Sequence, residues 1–285
     1  MNKRLLVLST VGIASIACAT AAVSRVGVGV ESNAEAAPVS ISVSNAAPPG
    51  KTDASAVPVL VELFTSEGCS SCPSADNVLA ALERTQSVAG ARIVPLALHV
   101  DYWDGIGWPD PFSSADATQR QRNYASLGSG AYTPQAVIDG RSETTGSRKA
   151  MVEQAIGEAA KRPHATLGVD VAGRTSAAAP IAVTLKIGAL PPGAASDAEV
   201  LVALTQNAVR VAVLRGENAG KTLEHTAVTR QLVVAGKALA AGTELKASFE
   251  VPKGVAAKEL RVVAFVQERA SRKVLATATR DVEAP

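Results

Sequence analysis

The stretch Glu62 to Leu82, ELFTSEGCSSCPSADNVLAAL, holds two cysteines separated by two serines. Three chemistries are open to Cys69 and Cys72. As a redox dithiol, one thiolate attacks a disulfide sulfur and the second thiol releases the mixed disulfide, and this spacing lets both reach one substrate sulfur. As a metal clip, the pair joins His99 to bind copper or zinc, which accept thiolate and imidazole together. As a staple inside a non-catalytic binding module, the bridge closes so short a loop that its chain-entropy contribution is small. The redox dithiol is the primary reading, with no resident metal and no cofactor expected.

The pair needs elements to hold it. VPVLVELF (Val57 to Phe64) is a run of apolar strand formers, as expected for a strand covered on both faces. Ala75, Val78, Leu79 and Leu82 then recur at helical spacing, with Asp76, Glu83 and Arg84 off the stripe. ARIVPLALHV (Ala91 to Val100) reads as a second buried strand, so strand, helix, strand predicts a parallel crossover unit. In such a sheet, sites form beyond the carboxyl ends of the strands. That rule gathers Cys69 and Cys72 at a helix start, His99, Asp101, Tyr102 and Trp103 after the second strand, and Tyr132, Thr133 and Pro134 before the third, YTPQAVIDGRSE. A helix N-terminus favours thiolate over thiol, so Cys69 is expected as the exposed, activated sulfur and Cys72 as the shielded one. Glu67, close by, opposes ionisation of Cys69 by like charge. The Tyr102–Trp103 pair and Trp108, in a Gly/Pro loop, suit a binding lip.

Ser113 to Gly128 and Lys149 to Ala160 read as further helices. From Ala165 onward, Val-rich runs such as PIAVTLKIGAL, AEVLVALTQ and ELRVVAFVQE suggest an antiparallel sandwich. The expected fold class is therefore α/β, with residues 58–163 forming an α/β domain and residues 164–285 an all-β sandwich-like domain. Before them, Lys3 and Arg4 precede an apolar run from Leu5 to about Val23, the pattern of an export signal. Residues 1–36 are expected to be the signal and pre-region, which contains the third cysteine, Cys18, and 37–57 a linker rich in Ala, Ser and Pro. Export to the periplasm or cell exterior, with no membrane span after cleavage, follows. With 28 basic against 26 acidic residues and no basic run interleaved with aromatics, nucleic acid is not an expected partner.

A Cys-X-X-Cys between a buried strand and a helix, followed later by Thr-Pro leading into another strand, resembles the thioredoxin superfamily. Taken together, ELFTSEGCSSCPSAD, HVDYWDGIGWPDPF and GENAGKTLEH are similar to the exported DUF1223 family. The resemblance implies a thioredoxin-like fold over about Val57 to Pro163, with Cys69 as nucleophile, Cys72 as resolving cysteine and Pro134 as a cis-proline facing them. It implies protein or small-molecule thiols and disulfides as partners. GENAGKT has three residues between its glycines where a phosphate loop needs four, and it reads as a turn of the sandwich. His164 and His225 have no ligand-spaced neighbours and read as structural; Asp104 and Asp110 read as solvated or capping carboxylates.

Overall fold

Nine residues from Val57 to Thr65 form β2, seven of them buried, because an unbroken apolar run can only be satisfied with both faces covered. The computed structural model describes residues 41–43 as backbone, 55–173, 176 and 179–284; the expected signal region lies outside these. In chain order the other strands are β1 (Ile41–Val43), β3 (Ala91–His99), β4 (Gln135–Ile138), β5 (Ser142–Thr145), β6 (Leu167–Val171), β7 (Ile181–Ile187), β8 (Ala198–Gln206), β9 (Val209–Ala212), β10 (Thr222–His225), β11 (Val228–Lys237), β12 (Thr243–Phe249), β13 (Leu260–Glu268) and β14 (Val274–Asp281). The helices are α1 (Cys72–Thr85), α2 (Ala115–Arg122) and α3 (Lys149–Ala160). β1 falls within the expected linker and pairs antiparallel with β9.

β2 and β3 run parallel, joined by α1, as the strand, helix, strand pattern predicts. β4 then pairs antiparallel with β2 and turns into β5 through Asp139 and Gly140, whose positive φ values of 47° and 61° suit a tight hairpin. The expected long helix over Ser113 to Gly128 is shorter. Ser114 caps α2 by accepting from the Ala117 N–H, and the segment ends in a 3-10 turn over Ala125–Leu127.

The expected architecture, a thioredoxin-like α/β domain followed by a separate β-sandwich, is not what forms. One mixed eight-stranded sheet, ordered β14-β13-β8-β11-β3-β2-β4-β5, runs through both halves, and the molecule is mostly β. The junction is β11: Val228 pairs parallel with Ala97 of β3, while the same strand pairs antiparallel with β8. Strands expected to close on one another instead extend the first sheet. β8 and β13 are buried on both faces rather than alternating. Val200, Val202, Leu204, Val262 and Ala264 pack toward Ile181, Val183, Leu185 and Phe249 of the small β12-β7-β6 sheet. Leu201, Ala203, Val263 and Phe265 share a core with Leu60, Phe64, Leu96 and Leu98 of β2 and β3.

A buried polar network pins the two halves together inside that shared core. The Glu62 carboxylate accepts from Arg120 Nε at 2.5 Å and from the Tyr124 hydroxyl. Arg120 also donates to Tyr124 Oη and to Gln267 Oε1 of β13, and its guanidinium lies over the rings of Phe265 and Tyr124. Removing one member of a buried ion pair strands the other, which costs far more than the pair itself is worth. Glu62→Ala is expected to lower the unfolding free energy by about 3–5 kcal/mol in urea titrations, and Glu62→Gln by less. A cost below about 1 kcal/mol for Glu62→Ala would show that the network does not hold the halves together.

Candidate active site

The chain leaves β2 through Ser66, Glu67 and Gly68 and enters α1 at Cys72. Cys69 N–H donates to Ser66 O and Cys72 N–H to Cys69 O, so both cysteines sit in consecutive tight turns at the helix start. Their Cα atoms are 5.4 Å apart and the sulfurs are joined as a disulfide. The Ser71 hydroxyl lies 3.3 Å from Cys69 Sγ, and Ser70 and Ser71 are exposed.

Thr133 and Pro134 come to the same place. Their peptide bond is cis, and the Thr133 hydroxyl donates to Cys69 Sγ at 3.4 Å while accepting from Trp103 Nε1 at 2.8 Å. Trp103 also packs on Gly68: a Cβ there would meet Trp103 Cβ at 3.1 Å, which explains the glycine before Cys69. Cys69, Cys72, Thr133, Pro134 and Trp103 therefore form one group. The other expected site residues lie further out. Asp101 is paired with Thr118 at the start of α2, and the Tyr102 hydroxyl donates to Gln121 Oε1. Tyr132 donates its hydroxyl to Glu143, and burial together with that carboxylate pushes its phenol well above the usual range.

One expectation is corrected, and the alternative metal site does not form. Cys69 is not the exposed sulfur; it is 1% exposed and Cys72 is 0%, because Trp103, Thr133 and a turn from the second half surround the Cys turn. The set Cys69, Cys72 and His99 is not assembled either. The sulfurs bond to each other, the His99 ring turns toward Asp110, and among the described residues no group of three or more His, Cys, Asp or Glu side chains is placed to hold a metal ion.

What His99 joins instead is a cluster that spacing alone does not reveal. His99 Nδ1 lies 2.7 Å from Asp110 Oδ2, and that oxygen also accepts from the Glu67 backbone N–H at 2.8 Å. The Glu67 carboxylate accepts from Trp108 Nε1 at 2.7 Å and lies 3.3 Å from His225 Nε2. His225 Nδ1 is 3.7 Å from Asp76 Oδ2, and the two imidazoles meet edge to face with centroids 4.9 Å apart. All five of these titratable side chains are buried. Glu67 stands two residues before Cys69 and Asp76 one helical turn after Cys72, so the cluster adjoins the disulfide through the chain itself. Asp76, off the apolar stripe in sequence, is thus on the buried face. His225, structural by its spacing, supplies the link from the second half.

A family described as "Protein of unknown function (DUF1223)" matches residues 60–267, nearly three quarters of the chain. The chain belongs to the DUF1223 family. The match spans the Cys turn, Thr133–Pro134 and His225 together. A crystal structure of a protein from Agrobacterium tumefaciens is 26% identical over 81% of this chain and 96% of its own, with a TM-score of 0.62. HBP35 of Porphyromonas gingivalis shares the fold at 14% identity, covering 82% of this chain and 78% of its own, with a TM-score of 0.61. No curated protein matches. Among the described residues, no helix is long and apolar enough to cross a membrane.

The charges of this cluster are interdependent. Burial alone would lower the His99 pKa, but Asp110, then Asp76 and Glu67, push it up to about 9. Burial opposes ionisation of Asp110, yet His99 and the Glu67 and Phe112 N–H groups hold its carboxyl below the usual range. Burial raises Asp76 despite His225 and His99. A histidine raised from 6.5 to about 9 contributes stability that is complete below about pH 6.5 and lost as pH rises through 9. Wild type should therefore lose roughly 3 kcal/mol more unfolding free energy than His99→Gln between pH 6.5 and 9. Parallel urea titrations check this; equal pH slopes would contradict it.

Proposed function

We propose that the chain is an exported thiol-disulfide oxidoreductase whose Cys69–Cys72 pair exchanges electrons with protein or small-molecule disulfides. One observation carries the reading: the two sulfurs meet at the start of α1 with the Thr133 hydroxyl on Cys69 Sγ and a buried imidazole-carboxylate cluster directly behind. The apolar run after Lys3 and Arg4 supports export, where such a pair can oxidise.

In the reducing direction, the Cys69 thiolate attacks one sulfur of the substrate disulfide. A new S–S bond forms to Cys69, the substrate bond breaks, and the leaving thiolate takes a proton. Cys72, once deprotonated, attacks Cys69 Sγ, closing the internal disulfide and releasing the second substrate thiolate. Two electrons and two protons pass from the dithiol to the substrate, and the reverse sequence oxidises a substrate dithiol. The Thr133 hydroxyl and the positive end of the α1 dipole stabilise the Cys69 thiolate. The cluster beside Cys72 offers groups that take up and return its proton, Asp76 being held above the usual carboxylate range by burial.

A second reading, a binding module in which the disulfide is only a staple, draws on the burial of both cysteines. Glutathione redox titration of the full chain, alongside Cys69→Ser, separates the two. The oxidoreductase reading expects a reversible two-electron couple and reduction of insulin disulfides by wild type that Cys69→Ser lacks. A pair that stays oxidised throughout the range, or turnover equal in the variant, would favour the staple.

A further inference from the structure

The turn between β9 and β10, residues 214–221 (LRGENAGK), belongs to the second half of the chain yet lies on the Cys turn of the first. Asn218 Nδ2 donates to Glu67 O at 2.8 Å and to Cys69 O at 3.0 Å. Its Oδ1 accepts from Lys221 Nζ at 2.9 Å, which fixes the amide with its donors toward those carbonyls. The neighbouring Glu217 carboxylate accepts from the Ser70 N–H at 3.0 Å. Gly216 and Gly107 touch backbone to backbone: a Cβ on Gly107 would lie 3.2 Å from Gly216 Cα, and φ is 80° at Gly216 and 103° at Gly107.

Burial along the turn is uneven. Asn218 is wholly buried, whereas every other residue of 214–221 is exposed. The turn is thus held on the Cys segment by a few polar bonds rather than by apolar packing, the condition under which a segment opens locally without global unfolding. At the same time Cys69 is 1% exposed, and the turn contributes to that cover together with Thr133 and Trp103.

We infer that the 214–221 turn is a latch over the dithiol, with Asn218 as the positioning residue that holds the Glu67–Cys69 segment closed, and that opening of this latch controls access to the disulfide. Its bonds go to backbone atoms of residues 67, 69 and 70, which are present in either redox state. The latch therefore governs the rate of thiol exchange more than its equilibrium. The inference does not depend on the chain being an enzyme, since it concerns access to the disulfide whatever acts on it.

The test is the rate at which excess dithiothreitol reduces the bond in the folded full chain, read by quenching and alkylating the freed thiols. In this reaction dithiothreitol becomes a cyclic disulfide as Cys69 and Cys72 take up two electrons and two protons. Asn218→Ala is expected to react at least about tenfold faster than wild type and Glu217→Ala about threefold faster, from the lost closing bonds. The glutathione equilibrium constant should move by less than about threefold in either variant. Leu245→Ala, in the distant β6-β7-β12 sheet, controls for general loosening and should leave the rate unchanged. Unchanged rates in the two latch variants, or equal acceleration in Leu245→Ala, would overturn the inference. Should Asn218→Ala fail to fold, Glu217→Ala decides, since its carboxylate is exposed, and an unaltered rate there is equally fatal.

Discussion

Everything around the dithiol depends on one seam in the sheet, where β11 joins β3. Ala97 N–H donates to Ala227 O, Val228 pairs with Ala97, and Ala227 takes a positive φ of 51° while its N–H donates to Asn207 Oδ1. This fixes β10 and its preceding turn against the carboxyl ends of β2 and β3. His225, Glu217 and Asn218 reach the Cys turn only because that seam is closed. Behind it, the Glu62, Arg120, Tyr124 and Gln267 network ties β2, α2 and β13 through atoms that cannot be left unpaired in a buried setting. The site is therefore composite, and neither half of the chain contains all of it.

That arrangement explains what the sequence discloses and what it withholds. β2, β3 and α1 are legible because their signals are local: a doubly buried strand is apolar throughout, and an amphipathic helix repeats at its own period. The rule that sites form beyond parallel strand ends places Cys69 and Cys72, whereas Thr133 and Pro134 join them because β4 runs antiparallel to β2. The second half is legible as strands but not as an extension of the first sheet. β8 and β13 carry apolar residues on both faces, and that pattern states that both faces are covered without stating by what. His225 gives no local signal because its partners, Glu67 and Asp76, are distant in the chain, and ligand spacing searches only nearby positions. Asn218 sits in a Gly-rich turn with no chemical signature of its own. Asp76 does carry a signal: an acid four residues after Cys72, next to Ala75 and Leu79 on the helix, falls on the face that packs inward.

The cluster behind the Cys turn places opposing electrostatic demands on one region. Burial disfavours each charge, and the imidazoles and carboxylates stay compatible with the interior only by facing one another. Asp110 serves two sides at once, accepting from His99 and from the Glu67 N–H, so the geometry of the Cys turn and the protonation of His99 are coupled. A thiolate formed at Cys72 would add another negative charge one helical turn from Asp76. Such coupling is compatible with a redox role for the Cys69–Cys72 pair.

The central claim is that Cys69 is the sulfur that meets the substrate while Cys72 resolves the intermediate. Trapping tests it most directly: folded Cys72→Ser protein is mixed with a model disulfide carrying a mass label, and the adduct is located by peptide mass spectrometry. The account predicts a stable mixed disulfide on Cys69 in the native protein and none in a Cys69→Ser, Cys72→Ser double variant. An adduct that forms on Cys69 only after denaturation would contradict it.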